Sequence, residues 1–346
     1  MRIMYENCLQ RSKQLIENLE NMDVSSSEFI RYKELLSYPD NCIKIERYIE
    51  EGRKIRNHYF GSNLYIRASI EISNICDYKC KFCGMSVENK ELERYCLSVE
   101  EVKQIIDYVY TLNITQIHLA SGESTSLNIE NLCEIIRYAK KRNLNVTLVL
   151  GRRKLDDYIK LRKCGADRYI LKFETSNKDL YYKIKSNTRL QDRIADLLFL
   201  REIGFKIGTG TIIGLPGTSI SDYVKDIQLL KYINPDMSSV SVFTPNAQSA
   251  FKNELAGDLE TAVRFVALMR HELQKNPPYI SCSSSFGIKG QEKVLNAGGN
   301  VISFHATPEK VIDSYSSYQG KGRIKTKKDV IEELASLCDL TISQYY

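Results

Sequence analysis

Apolar and polar residues alternate along residues 65–75 (Tyr-Ile-Arg-Ala-Ser-Ile-Glu-Ile-Ser-Asn-Ile), the period-two pattern of a β-strand. Further strands are predicted at 115–120, 145–150, 168–174, 206–213, 238–244, 279–284 and 300–305. Helical spacing fills the intervals near 98–112, 128–142, 153–164, 178–204 (with breaks), 219–232, 257–275 and 285–297. Short β-rich runs separated by amphipathic helices predict a parallel sheet. Eight such strands in about 240 residues predict an α/β fold closed as a (β/α)8 TIM-type barrel. Gly298-Gly299 ahead of residues 300–305 is a turn followed by a strand.

Residues 1–64 are mostly helical in pattern. Segments 28–37 and 43–58 carry apolar residues at three- and four-residue spacing, broken by Tyr38-Pro39-Asp40. Each has one apolar stripe and must dock on something larger. They read as a helical N-terminal extension (1–64) covering one end of the barrel (65–310), with the join at Gly61-Ser62-Asn63. Residues 311–346 read as a short tail packing on the barrel, a loop at Gly320-Lys321-Gly322 and a final helix at 328–338. No solenoid repeat or low-complexity segment interrupts this order.

Composition narrows the picture modestly. A chain of 346 residues with 43% apolar content can bury a large core. No apolar run approaches the ~20 residues that span a bilayer, and the first residues lack a signal-peptide core. A cytoplasmic location without a membrane partner is expected. The net charge of +6 is small, and Lys140-Lys141-Arg142 reads as a solvated helix C-terminus. With no nucleic-acid motif, no such partner is expected. The ten cysteines do not read as a disulfide framework. Cys8, Cys42, Cys96, Cys133, Cys164, Cys282 and Cys338 are scattered, as small buried apolar residues usually are, and reduced thiols fit a reducing, anaerobic interior.

The other three, Cys76, Cys80 and Cys83, form a C-x3-C-x2-C loop directly after the first strand. Three thiolates this close can converge on one metal centre, one ligand short of a closed cubane or a structural zinc site. A cube held by three cysteines leaves one iron open to chemistry. A zinc loop with a borrowed ligand, or three unrelated buried thiols, are the competing readings. In a parallel barrel the chemistry sits at the carboxyl ends of the strands. There the sequence offers Ser121-Gly122-Glu123, then Lys172 and Glu174 on one face. Arg193 follows a helix later, with a guanidinium able to hold a carboxylate by two parallel hydrogen bonds. The run 208–217 (Gly-Thr-Gly-Thr-Ile-Ile-Gly-Leu-Pro-Gly) has glycines where something approaches the backbone closely, without the spacing of a dinucleotide loop. Ser239, Ser241, Ser281, Ser283 and Ser285, with Gly208 and Gly210, describe either a roomy polar chamber for an amino acid or similar solute, or ordinary small core residues.

The cysteine spacing, with Phe82 before the third cysteine, resembles the radical S-adenosylmethionine (radical SAM) superfamily. Phe60-Gly61-Ser62, Ile66-Arg67, Glu71-Ile72-Ser73-Asn74, Gly165-Ala166-Asp167-Arg168-Tyr169, Glu174-Thr175, Gly214-Leu215-Pro216-Gly217 and residues 298–308 narrow the resemblance to the biotin-synthase-like branch. Within it the chain looks most like the group of the HydE hydrogenase-cofactor maturase and methylornithine synthase, over roughly residues 45–310. The resemblance implies one 4Fe–4S cluster on Cys76, Cys80 and Cys83, with SAM on the open iron. It implies SAM contacts from Phe82, from Ser121, Gly122 and Glu123 toward the ammonium, and from Ile212 against the adenine. Glu174 is then expected at the ribose or ammonium, and Arg193 at the carboxylate. It further implies reductive cleavage of SAM to a 5′-deoxyadenosyl radical, which takes hydrogen from a small amino-acid-like or metal-cofactor-precursor substrate. A ferredoxin or flavodoxin would supply the electron, drawn by Lys79, Lys81 and Lys90.

Two departures limit the likeness. Strands two, three and five carry no cysteine for a sulfur-donating second cluster, and only Cys338 lies near the carboxyl terminus. Where HydE has an Arg-His-Glu-like motif, this chain has Lys172-Phe173-Glu174. Biotin-synthase-type sulfur insertion and a non-enzymatic metal-binding barrel stand as the alternatives.

Overall fold

In β1 (Asn63–Ser73) the alternation resolves into two faces. Leu64, Ile66, Ala68, Ile70 and Ile72 join the main apolar core, whereas Arg67, Ser69 and Glu71 line a cavity inside the sheet. The apolar face therefore meets surrounding helices, and the polar face is kept for the interior. This arrangement is seen in a computed structural model that describes residues 1–38, 42–317 and 326–343. Pro39, Asp40 and the expected loop at Gly320-Lys321-Gly322 lie outside the described residues.

The chain runs α1 (Arg2–Glu20), α2 (Ser27–Ser37), α3 (Ile43–Phe60), β1, α4 (Val99–Thr111), β2 (Gln116–Ser121), α5 (Ile129–Lys140), β3 (Asn145–Val149), α6 (Leu155–Lys163) and β4 (Arg168–Ile170). It continues α7 (Lys178–Ile184), α8 (Leu190–Glu202), β5 (Lys206–Ile213), α9 (Ile220–Ile233), β6 (Met237–Val242), α10 (Leu259–Glu272) and β7 (Tyr279–Cys282). It ends α11 (Gly287–Asn296), β8 (Val301–His305), α12 (Glu309–Ile312), α13 (Lys328–Leu337) and β9 (Thr341–Ser343). Adjacent strands are parallel, and β1 pairs with both β2 and β8, so β1–β8 close into the predicted (β/α)8 barrel. Reciprocal capping boxes, Ser98 with Glu101 and Ser219 with Asp222, start α4 and α9.

The three N-terminal helices lie along the ring of outer helices. Tyr5 of α1 donates to Asp196 of α8 (2.8 Å), and Lys231 of α9 donates to Glu28 of α2 (2.8 Å). Gly52 lets α3 approach closely, because a Cβ there would stand 2.8 Å from Ala297 O and 3.2 Å from Ala267 Cα. Among the described residues no helix is long and apolar enough to cross a membrane.

Three details depart from the sequence reading. β4 ends at Ile170 rather than 174: the chain leaves regular pairing after Ile170 and returns to β5 only at Glu174, whose left-handed backbone (φ +65°) forms a single parallel bridge with Thr211. The break expected within 178–204 is no departure but gains a position: it falls where Ser186 and Asn187 also turn left-handed (φ +54° and +55°). The tail is not wholly helical: β9 pairs with the start of β1, Asn63 opposite Thr341. Finally, α5 packs beside α6 and brings Cys133 and Cys164 into a disulfide (Cα–Cα 5.4 Å), although they read as scattered apolar positions 31 residues apart.

Candidate active site

Beyond β1 the cysteine loop folds back over the barrel mouth, and Cys76, Cys80 and Cys83 all line one cavity of about 310 Å³. Backbone bonds stitch the loop to three neighbours: Asp77 N to Glu123 O (3.0 Å), Lys81 N to Ile184 O (3.0 Å) and Phe251 N to Lys81 O (3.2 Å). Arg94 clasps its far limb, donating to the carbonyls of Asn74 (2.8 Å), Met85 (2.9 Å) and Ser86 (2.7 Å). Gly122 is a contact rather than a hinge. A Cβ there would lie 2.2 Å from Ile75 O and 2.9 Å from Cys76 Cβ.

Burial pushes the Cys80 thiol up to about 11 and the Cys83 thiol up to about 12, with Cys80 and Cys76 adding to the rise at Cys83. Metal loading would therefore have to displace thiol protons. Among the described residues no three His, Cys, Asp or Glu side chains are gathered to hold a single ion. Three thiols lining one cavity are a ligand set that fits a cluster with one open corner.

Glu123 is buried and fully engaged. Arg193 Nη1 donates to its two carboxylate oxygens (3.2 and 3.1 Å), Arg152 N donates to Oε1 (3.0 Å), and Lys185 Nζ lies 3.3 Å from Oε2. Burial opposes ionisation, but Arg193 and Lys185 outweigh it and hold this carboxyl down at about 2. The guanidinium expected to meet an incoming carboxylate is thus closed on Glu123, with its Nε on Lys172 O.

Lys172 and Glu174 do share a face. Lys172 Nζ stands 3.3 Å from Glu174 Oε2 and donates to Ser241 Oγ (3.0 Å). Glu174 Oε2 is buried on the cavity wall, with the Lys172 ammonium as its neighbouring charge. Ile212 belongs to an apolar cluster with Ile184, Leu215 and Phe243, and Phe82 packs against it. This gives the cavity a flat apolar flank beside its carboxylate, as a nucleoside needs.

Ser239, Ser241, Ser281, Ser283 and Gly208 line the cavity, whereas Ser285 bonds Ser283 instead (2.8 Å). Gly210 is needed for strand contact, since a Cβ would fall 1.8 Å from Ser239 O. His305 lines the cavity, and its Nδ1 also accepts from Thr326 N (2.9 Å).

Sequence reasoning missed two cavity residues. Lys185 is a buried lysine whose ammonium lies 5.6 Å from the Tyr78 ring and 6.0 Å from the Phe82 ring. Nothing in its local sequence separates it from the exposed Lys183. His118 has both ring nitrogens buried without partners, and burial and then Arg67 hold its imidazole neutral. It was detectable as the one ionisable residue at an inner position of β2.

Comparison with known proteins agrees with this geometry. Residues 70–230 match the family model described as the radical SAM superfamily. The chain is 34% identical over 310 residues to the [FeFe] hydrogenase maturase subunit HydE of Thermotoga maritima, covering 89% of this chain and 88% of that one. It is 26% identical to 3-methylornithine synthase of Methanosarcina acetivorans, covering 85% of each. The crystal structure of methylornithine synthase superposes with a TM-score of 0.82 at 22% identity, over 95% of this chain and 97% of that one, which shows the shared barrel. The chain belongs to the radical SAM superfamily and is an enzyme whose cofactors are a 4Fe–4S cluster and S-adenosylmethionine.

Proposed function

We propose that Cys76, Cys80 and Cys83 ligate the cluster and that SAM lies between it and Glu174, acting on a small amino-acid-like or metal-cofactor-precursor substrate deeper in the barrel. The observation that carries this reading is the meeting of the three thiols, the buried Glu174 carboxylate and the Ile212–Phe82 flank in one cavity. The chemistry supplied by a bound, reduced cluster is one-electron cleavage of the SAM sulfonium bond, giving methionine and the 5′-deoxyadenosyl radical that takes hydrogen from the substrate.

The protein's part is orientation and exclusion of water. Ile212 and Phe82 would pack the adenine, Glu174 would accept from the ribose or ammonium, and the Ser121-Gly122 backbone would flank the amino end. Arg193 and Glu123, already paired, would form the charged wall behind the methionine moiety. The polar floor, Arg67, Ser69, His118 and Ser303, leaves room for a substrate that needs hydrogen bonds. Cys282 is the one other cysteine on this cavity among the described residues. A single thiol does not hold a second cluster, which weighs against sulfur insertion. The exposed Lys79, Lys81 and Lys90 beside the loop suit an acidic reductant such as a ferredoxin or flavodoxin, and the setting would be the cytoplasm.

Anaerobic reconstitution with iron and sulfide tests the proposal. Protein carrying one cubane and treated with dithionite should release 5′-deoxyadenosine from SAM, and Cys→Ala at any of the three positions should abolish it. A fully loaded cubane without SAM cleavage would refute it.

A further inference from the structure

Glu174 lines the cavity with a left-handed backbone, a conformation that is unfavourable for a non-glycine residue and persists only where the surroundings over-determine it. The restraints come from behind the strand. Glu174 N donates to Gly210 O (3.1 Å), and Glu174 O accepts from Ile212 N (2.9 Å) and lies 2.9 Å from Thr211 Oγ1. Thr211 Oγ1 is also hydrogen-bonded to Asp226 Oδ2 on α9, while Asp226 Oδ1 accepts from Ser176 N (2.7 Å), two residues past Glu174. Thr211, Asp226 and Ser176 are all buried.

A proton count makes this chain informative. Thr211 has one hydroxyl proton and two oxygen neighbours, Glu174 O and Asp226 Oδ2, neither of which can donate if Asp226 is ionised. Both contacts are satisfied only if one neighbour brings a proton, and a backbone carbonyl has none. We propose that Asp226 is a neutral carboxylic acid that donates to Thr211, which in turn donates to the Glu174 carbonyl, making Asp226 the positioning residue that holds Glu174 in the cavity. Burial, with no cationic partner among the described residues, supports the protonated form, pushing this carboxyl up to about 7, with Asp222 adding to the rise. The proposal rests on the reading of Glu174 as a SAM contact.

Four variants of the cluster-loaded protein test it by equilibrium SAM binding, thermal melting and infrared spectroscopy. Asp226→Asn retains an acceptor for Ser176 N and a donor for Thr211, so it should bind SAM as the wild type does. Asp226→Ala and Thr211→Val should weaken SAM binding about tenfold. The infrared carbonyl band of a protonated carboxylic acid should be present in the wild type near neutral pH and absent from Asp226→Asn. Asparagine failing as badly as alanine, or no such band in the wild type, would overturn the neutral acid. Unchanged SAM binding in Asp226→Ala would overturn the positioning role. Glu174→Ala separates the two failures: if it binds SAM normally, the site assignment falls, whereas the infrared band still reports on Asp226.

Discussion

Lys185 and Glu123 form a buried ion pair, Nζ to Oε2 3.3 Å, wedged between the cysteine loop and Arg193. One carboxylate here balances two cations, so removing it leaves both uncompensated. Breaking a buried pair from one side typically costs about 3–5 kcal/mol. Glu123→Gln should therefore lower stability by that order. Adding Lys185→Met should restore part of the loss, because the second change removes one of the stranded charges. Denaturant titration of both single variants and the double variant measures the coupling, and strict additivity would contradict it.

Gly122→Ala should harm the metal site more than the fold. Its Cβ would sit 2.2 Å from Ile75 O, 2.7 Å from Ile75 C and 2.9 Å from Cys76 Cβ, and two of these are backbone atoms that cannot rotate away. The cheapest relief is a shift of the residues leading into Cys76. Overpacking of this kind costs about 1–3 kcal/mol, which a barrel of this size survives. The expected result is a folded protein with a small drop in melting temperature and a marked drop in iron retained after reconstitution.

Stability should depend on pH through Asp226. A carboxyl whose folded value is raised from 3.8 to about 7 binds its proton more tightly in the native state. Its contribution is fully present below the unfolded value and is lost as pH rises through about 7. Asp222 and Tyr223 on the same helix are its titratable neighbours, and across from it stand only the hydrogen-bonding Ser176 and Thr211 among its described partners. Asp226→Asn cannot ionise, so its stability relative to wild type should rise between pH 4 and pH 7. Chemical denaturation across that window gives the sign directly.

The Cys133–Cys164 bond closes a loop of 31 positions across α5 and α6. A cross-link of that length typically stabilises by about 2–4 kcal/mol. Oxidised protein should melt higher than protein held in thiol reductant, and Cys133→Ala with Cys164→Ala should remove the difference. Thiol counting under denaturing conditions establishes the redox state of each sample.

What the sequence discloses and what it conceals divide along the range of the interactions. Alternation in residues 65–75 and the short helices after each strand are local patterns, so the barrel was legible, and so was the cysteine triad. That Lys172 and Glu174 share a face was legible as well, although Glu174 turns there past the end of β4 with a left-handed backbone rather than by strand alternation. The early end of β4 was not, since it depends on hydroxyls of Thr209 and Thr211 supplied by the next strand. Arg193 illustrates the same limit. Its chemistry was legible, but its partner Glu123 lies 70 residues away in the loop after β2. Lys185 and the Cys133–Cys164 pair were concealed for that reason too, each defined by a neighbour that only the closed barrel brings near.

The last expectation concerns electron delivery. Lys79, Lys81 and Lys90 are exposed around the cysteine loop, and Lys79 Nζ has one nearby carboxylate, Glu88, at 3.7 Å. Exposed pairs of this kind add little to stability, so changing all three lysines to glutamate should leave the melting temperature nearly unchanged. The long-range field near the cluster would invert, however, and steered association commonly changes by about 10-fold or more with such a change. Reduction by an acidic ferredoxin or flavodoxin should slow by at least that factor at low salt, and the difference should shrink as ionic strength rises. Reduction with deazaflavin and light supplies electrons without a protein partner and should proceed at the wild-type rate. If both routes slow together, the lysines act on the loop itself rather than on a docking reductant, and equal rates by both routes would exclude any part for them in electron delivery.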